Sequence, residues 1–165
     1  MKDLMKLANE CMKELDTTGI KYGNIVEWKI NTRAKTRWGQ CCHKGGNNYS
    51  INISVELLDD KVDDIATKTT ILHELLHSIK ECVGHGTEWK RYAYKVNKAY
   101  GYNIKRTTSY EEKGIEKIVT PKMVKHRFIC QGCGMVLERM KESSFTKNYK
   151  DYTCGRCHSH FTKEF

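Results

Sequence analysis

The stretch Ile71–Lys90, ILHELLHSIKECVGHGTEWK, holds three of the seven histidines of this 165-residue chain, and its reading decides the fold. In an α-helix, residues four apart share one side, so His73 and His77 aim their imidazoles at one spot with Glu74 beside them. A zinc ion fits that spot. Zinc catalysis needs three protein ligands, an open fourth position for water, and a carboxylate that takes the water's proton. His73 and His77 supply two ligands and Glu74 the carboxylate. The expected third ligand is His85, eight residues on, because Gly84 can end the helix in a left-handed conformation and Gly86 leaves room for a reversal. A carboxylate on the next helix competes for that position, and Glu88 is the nearest.

Working outward, Asp59 or Asp60 can cap the histidine helix from about Val62. Asp63 and Asp64 then fall in its first turn, and Ile65, Leu72, Leu76 and Ile79 form an apolar stripe. Downstream, Thr87 is a fair N-cap for TEWKRYAYKVNKAYGY, a helix with Trp89, Ala93 and Val96 on one face that Gly101 ends. Upstream, Asn24–Leu58 is strand-forming sequence broken by KGGNN, which suits a hairpin turn, and Tyr49, Ile51, Ile53 and Val55 alternate. Trp38 reads as core, and Arg37 as ambiguous between site and surface. The first residues place Leu4, Leu7, Ala8, Cys11, Met12 and Leu15 at helical spacing, an amphipathic core helix.

That opening segment lacks the apolar run and small-residue cleavage site of a secretory signal, and no run approaches the roughly 18 apolar residues of a membrane span. The expectation is a cytoplasmic monomer, nucleoid-associated if bacterial, with no membrane partner. Eight cysteines in a reducing compartment are better used for metal than for disulfides where they pair. Cys11, Cys41, Cys42 and Cys82 show no paired spacing and read as buried thiols.

The other four form C-x2-C, a 20-residue gap, and C-x2-C: Cys130, Cys133, Cys154 and Cys157. Two such knuckles hold one tetrahedral ion between hairpins, the pattern of a zinc ribbon. A tail of this size buries little apolar surface, so the metal should supply much of its folding energy. With four thiolates closing the shell, His126, His158 and His160 read as surface residues. The polar segment 107–121, with the only proline, reads as a linker, giving domains 1–120 and 121–165.

Formal charge is +9, and residues 121–165 carry nine Lys and Arg against four Asp and Glu, much denser in positive charge than the rest. In the tail Lys125, Arg127, Lys147, Tyr149, Lys150 and Tyr152 mix cations with rings. This composition suits single-stranded nucleic acid, where cations track phosphates and rings stack on bases. The competing reading has Phe128, Phe145 and Phe161 filling the ribbon core while the lysines solvate it.

Together RAKTRWGQC at Arg33–Cys41, the strand YSINISVELL, HELLH at 73–77 and HGTEW at 85–89 resemble the SprT-like zinc metalloproteases, to which the Spartan DNA-protein crosslink proteases belong. The resemblance implies an α+β, zincin-like protease domain followed by a zinc ribbon. It implies His85 as the third ligand, Glu74 as general base, and two zinc ions, one catalytic and one structural. It further implies an endopeptidase acting on DNA-bound or crosslinked protein, with DNA as recruiter. The alternative is a nucleic-acid-binding zinc protein with little or no proteolysis; a third reading is a scaffold whose ribbon contacts protein.

Overall fold

The computed structural model describes residues 1–33, 37–116 and 123–165. The chain divides into two compact units, residues 1–117 and 118–165. The boundary expected at 120/121 lies outside the described residues. Among the described residues no helix is long and apolar enough to cross a membrane.

The first unit is α+β. Helix α1 (Leu4–Thr17) starts where the Asp3 carboxylate accepts the backbone N–H groups of Met5 and Lys6. It buries Leu4, Leu7, Ala8, Cys11 and Leu15, the stripe expected from its spacing, with Met12 packed at the margin. Strands β1 (Asn24–Asn31), β2 (Gly39–Gly45) and β3 (Asn48–Ser54) form a sheet in the order β1-β3-β2. The turn between β2 and β3 places Gly45 at φ +99° and Gly46 at φ +59°, a conformation that glycine adopts without strain, so KGGNN is the hairpin its sequence announces. The pair β2–β3 is antiparallel, and β1 runs parallel on the other side of β3. As the central strand, β3 buries Ser50 and Ser54 as well as Tyr49, Ile51 and Ile53.

Helix α2 (Asp64–His77) packs against α1, helix α3 (Thr87–Tyr100) and the sheet. Leu72, Leu75 and Leu76 are fully buried in the core it organises. It begins later than its acidic run suggests. Asp63, not Asp59 or Asp60, is the N-cap and accepts the Ile65 N–H at 2.7 Å, while Asp59 closes a separate turn onto Lys61. Ile65 is consequently exposed on the first turn instead of joining the apolar stripe. The helix also ends before Gly84, at Ser78, whose hydroxyl donates to the Leu75 carbonyl and accepts the Gly23 N–H. A right-handed Ser78 therefore terminates α2, and Gly84 is not left-handed. Gly86 in extended backbone, not Thr87, takes the N-cap position of α3 without a side-chain bond. That helix ends as expected at left-handed Gly101, φ +69°, and buries Trp89, Ala93 and Val96.

The segment expected as a linker instead packs on this unit as far as it is described, to Glu116. Lys113 is buried, Tyr110 meets Trp38 edge to face at 4.5 Å, and Trp38 Nε1 donates to the Thr108 carbonyl at 3.2 Å. Its polar composition hides this because the anchors are single residues with no period.

The second unit is a β ribbon. Strands β4 (His126–Cys130), β5 (Val136–Arg139) and β6 (Phe161–Lys163) form a sheet ordered β5-β4-β6, with a short helix α4 (Ser144–Lys147) closed by a Ser143 capping box. Phe128 and Phe161 with Cys130 and Cys154 make its core, flanked by Phe145 and Tyr149.

Replacing Leu75, fully buried between the two zinc-site histidines in sequence, should cost about 2–5 kcal/mol. Urea unfolding of Leu75→Ala, followed by Trp fluorescence, should show this loss; all three tryptophans lie in the first unit. An unchanged midpoint would mean that α2 does not organise the core.

Candidate metal centres and catalytic cleft

The turn after α2 returns the chain onto the helix it has just left. The Nε2 atoms of His73, His77 and His85 lie 3.2, 3.1 and 2.9 Å apart, a closed triangle. His73 Nδ1 meets the Lys105 carbonyl at 3.1 Å and His77 Nδ1 meets the Cys82 carbonyl at 2.7 Å. A carbonyl only accepts, so both Nδ1 atoms carry the proton and both Nε2 atoms present lone pairs to the centre. Converging lone pairs repel one another unless a cation sits between them. A tetrahedral zinc with Zn–N of about 2.0–2.1 Å needs its nitrogens about 3.3 Å apart, so the donor set and its spacing fit that ion.

Electrostatics agree. Burial, then the neighbouring His77 and His85 rings, holds His73 down to about 3, and burial with His77 also lowers His85. Rings kept neutral are ready to ligate. Trp89 floors the triangle, with ring centroids 4.8, 5.7 and 4.6 Å from His73, His77 and His85. Sequence placed Trp89 only on a core face; its contact with all three histidines follows from α3 crossing under the turn. Glu88, the competing ligand, points elsewhere and pairs with Arg91 at 3.0 Å. Arg91 also stacks on Tyr92, and Tyr94 is exposed.

Glu74 is buried beside the triangle. Burial raises it to about 7, against the pull of a Cys41 backbone hydrogen bond and the Arg37 charge. Gly39 on β2 is the reason it fits: a Cβ there would come within 2.6 Å of Glu74 Cγ and Oε1. The RWG glycine thus serves the carboxylate, a role its sequence position alone does not signal. Edge strand β2 and these side chains line an open cleft of about 910 Å³ that includes Gln40, Cys41, His43 and Tyr49. Because β2 is an edge, Cys41 and Cys42 are only half-buried, whereas Cys11 and Cys82 are fully buried thiols.

In the ribbon the four cysteine sulfurs also cluster, with Cys130–Cys157 at 3.3 Å and Cys133–Cys154 at 3.6 Å. Each C-x2-C is closed by a left-handed residue four places after its first cysteine: Gly134 at φ +70° and His158 at φ +58°. Their N–H groups donate to the Cys130 and Cys154 carbonyls at 3.0 and 2.8 Å. His158 is therefore a turn residue, exposed like His160, while His126 is half-buried in β4. Knuckle N–H groups lower the Cys154 and Cys157 thiols, Cys157 to about 6 chiefly through Ser159. A cluster of this kind fits the zinc ribbon.

Of the tail residues singled out for nucleic acid, Lys125, Lys147, Lys150 and Tyr152 are exposed. Arg127 is engaged with Glu164 at 3.1 Å and Glu138 at 3.7 Å, and Lys147 with Glu142 at 3.7 Å. Tyr149 packs into the small core against Phe128, and Tyr152 edges onto Phe145.

A histidine triangle on a helix and its return turn, a buried carboxylate beside it, and an edge strand along the cleft define the metallopeptidase class. The sequence profile of the SprT-like family matches residues 3–109, and the chain belongs to that family. No curated protein gives a match. Membership supports a metallopeptidase-like function.

The raised Glu74 makes a prediction for the metal-stripped chain. Its neutral form is favoured by folding, so this contribution is intact below the unfolded value near 4.5 and lost as pH rises through about 7. His73 and His85 act in the opposite direction, favouring the fold above their ordinary value near 6.5. Glu74→Gln should therefore stabilise the metal-free chain by about 3 kcal/mol at pH 8, with the gain shrinking toward pH 5. Paired urea titrations at the two pH values check this; a variant no more stable than the parent at pH 8 would contradict it.

Proposed function

We propose that the chain is a zinc-dependent endopeptidase acting on DNA-associated or crosslinked proteins, with a second, structural zinc in its ribbon. One observation carries the reading: three Nε2 atoms converge beside a buried carboxylate, in a cleft bordered by the edge strand β2. His73, His77 and His85 would hold the catalytic ion, and Cys130, Cys133, Cys154 and Cys157 the structural one. When bound, the catalytic ion polarises the scissile carbonyl and acidifies a water.

The chain's own groups supply the rest. Glu74, poised near neutrality by burial, takes the water's proton and returns it to the departing amine. The exposed edge of β2 offers backbone N–H and C=O groups to an extended polypeptide, which favours unfolded segments over compact ones. Lys105 and Cys82 carbonyls fix the tautomers of two ligands.

DNA is the proposed recruiter, single strands favoured, through the ribbon's net positive charge and its exposed Lys125, Lys147, Lys150 and Tyr152. A protease with an open cleft is harmful unless restrained, and co-binding of enzyme and target on DNA would raise their effective concentration. The setting is the cytoplasm, or the nucleoid of a bacterium, and the working form a monomer.

The test is a gel assay of the zinc-loaded chain on itself and on a DNA-bound protein, with and without single-stranded DNA. Fragments should require DNA, and Glu74→Gln should lower their yield at least about 100-fold with metal content unchanged. Cleavage retained in Glu74→Gln would remove the proposed base, and affinity for DNA that is insensitive to salt would remove the proposed recruiter.

A further inference from the structure

A second cavity, of about 290 Å³, opens from the same two side chains, His73 and Glu74, and shares Gly39 with the cleft. Its apolar lining is Trp38 and Ile104, and its charged lining is strongly one-sided. Four cations, Arg37, Lys105, Arg106 and Lys113, face a single carboxylate, Glu74. Lys105 is taken up by Glu112. Among the described residues no carboxylate forms an ion pair with Arg37, Arg106 or Lys113.

Lys113 is the telling member. It is 4% exposed, and its ammonium donates to the Ala66 carbonyl at 2.7 Å and Thr69 Oγ1 at 3.0 Å. Those bonds use two of its three donors and fix the group in the wall. An ammonium buried with no carboxylate bonded to it is unfavourable; burial lowers Lys113 to about 8 against the weaker pull of the Glu112 charge, and it is still protonated near neutral pH. A fixed, undercompensated cation with two further guanidinium groups is an arrangement organised for an anion that arrives from outside.

We propose that this cavity is a specificity subsite that takes the carboxylate of an Asp or Glu next to the scissile bond. The inference rests on reading the adjoining cleft as a peptidase site. A cavity opening directly beside Glu74 is where the side chain flanking the reacting peptide must go. Its size and its Trp38 and Ile104 walls suit the stem and head of one acidic side chain better than a nucleic-acid backbone.

The test uses the full, zinc-loaded chain on a library of unstructured peptides, with cut sites read by mass spectrometry. Asp and Glu should be enriched at least about fivefold at one position beside the cut, the scale of a single charge-assisted contact. Arg106→Glu, an exposed change, should shift that position to Lys and Arg, and Lys113→Met should weaken the acidic preference. A flat or apolar profile, or one that Arg106→Glu leaves unchanged, overturns the proposal. A second arm needs no turnover: Glu74→Gln should bind a fluorescent peptide carrying Glu more tightly than its Gln twin, by anisotropy. Selective binding without any cleavage in the parent chain sinks the peptidase reading and keeps the subsite. Cleavage without selectivity sinks the subsite alone. If a short single-stranded oligonucleotide displaces the acidic peptide and Arg106→Glu abolishes that competition, the cavity is a phosphate site and the proposal fails.

Discussion

Three imidazole nitrogens brought within 3.2 Å of one another are the constraint on which the rest of this molecule depends. Neutral rings gain nothing from such an approach by themselves. The backbone holds them there: the Lys105 and Cys82 carbonyls orient two rings, and the turn from Ser78 to Gly86 delivers the third. Three elements of the first unit contribute. Helix α2 carries two histidines, α3 supplies Trp89 beneath them, and β2 comes close enough to cover Glu74 only because Gly39 has no side chain.

The same principle, convergence enforced by local backbone, recurs at a smaller scale in the ribbon. Two knuckles related by spacing present their thiols through left-handed turns, and in the second the N–H groups favour thiolate over thiol at Cys154 and Cys157. There the apolar core is little more than two phenylalanines and two half-buried rings, so the metal cluster and the core are nearly one object. In the first unit the core is large and the metal centre sits at its edge. Under the proposed function this contrast would divide the two clusters, the ribbon's serving to staple a fold and the histidine triangle, at the cleft, serving the chemistry.

Residues with a strong local period or spacing were legible from sequence: the α1 stripe, the KGGNN hairpin, HELLH with His85, the paired C-x2-C and the α3 face. What escaped depends on contacts distant along the chain. Helix α2 starts and stops one to several residues away from its apparent signals, because the Asp63 and Ser78 side chains compete more directly for the terminal backbone groups than Asp59 or Gly84. Lys113 sits in EEKG, polar sequence that reads as linker, yet is buried against α2. Tyr149 reads as a stacking ring but fills the ribbon core, since aromatic composition does not say which face a ring will choose.

If the proposed function holds, the histidine triangle binds a metal as a site chemically distinct from the cysteine cluster. Cobalt substitution tests it most directly, because Co(II) in a thiolate site gives intense charge-transfer absorption while Co(II) bound by imidazoles and water gives only weak visible bands. Two Co(II) per chain with both signatures are expected, with loss of the weak bands alone in His85→Ala. One Co(II) per chain with purely thiolate absorption, unchanged in His85→Ala, would contradict it.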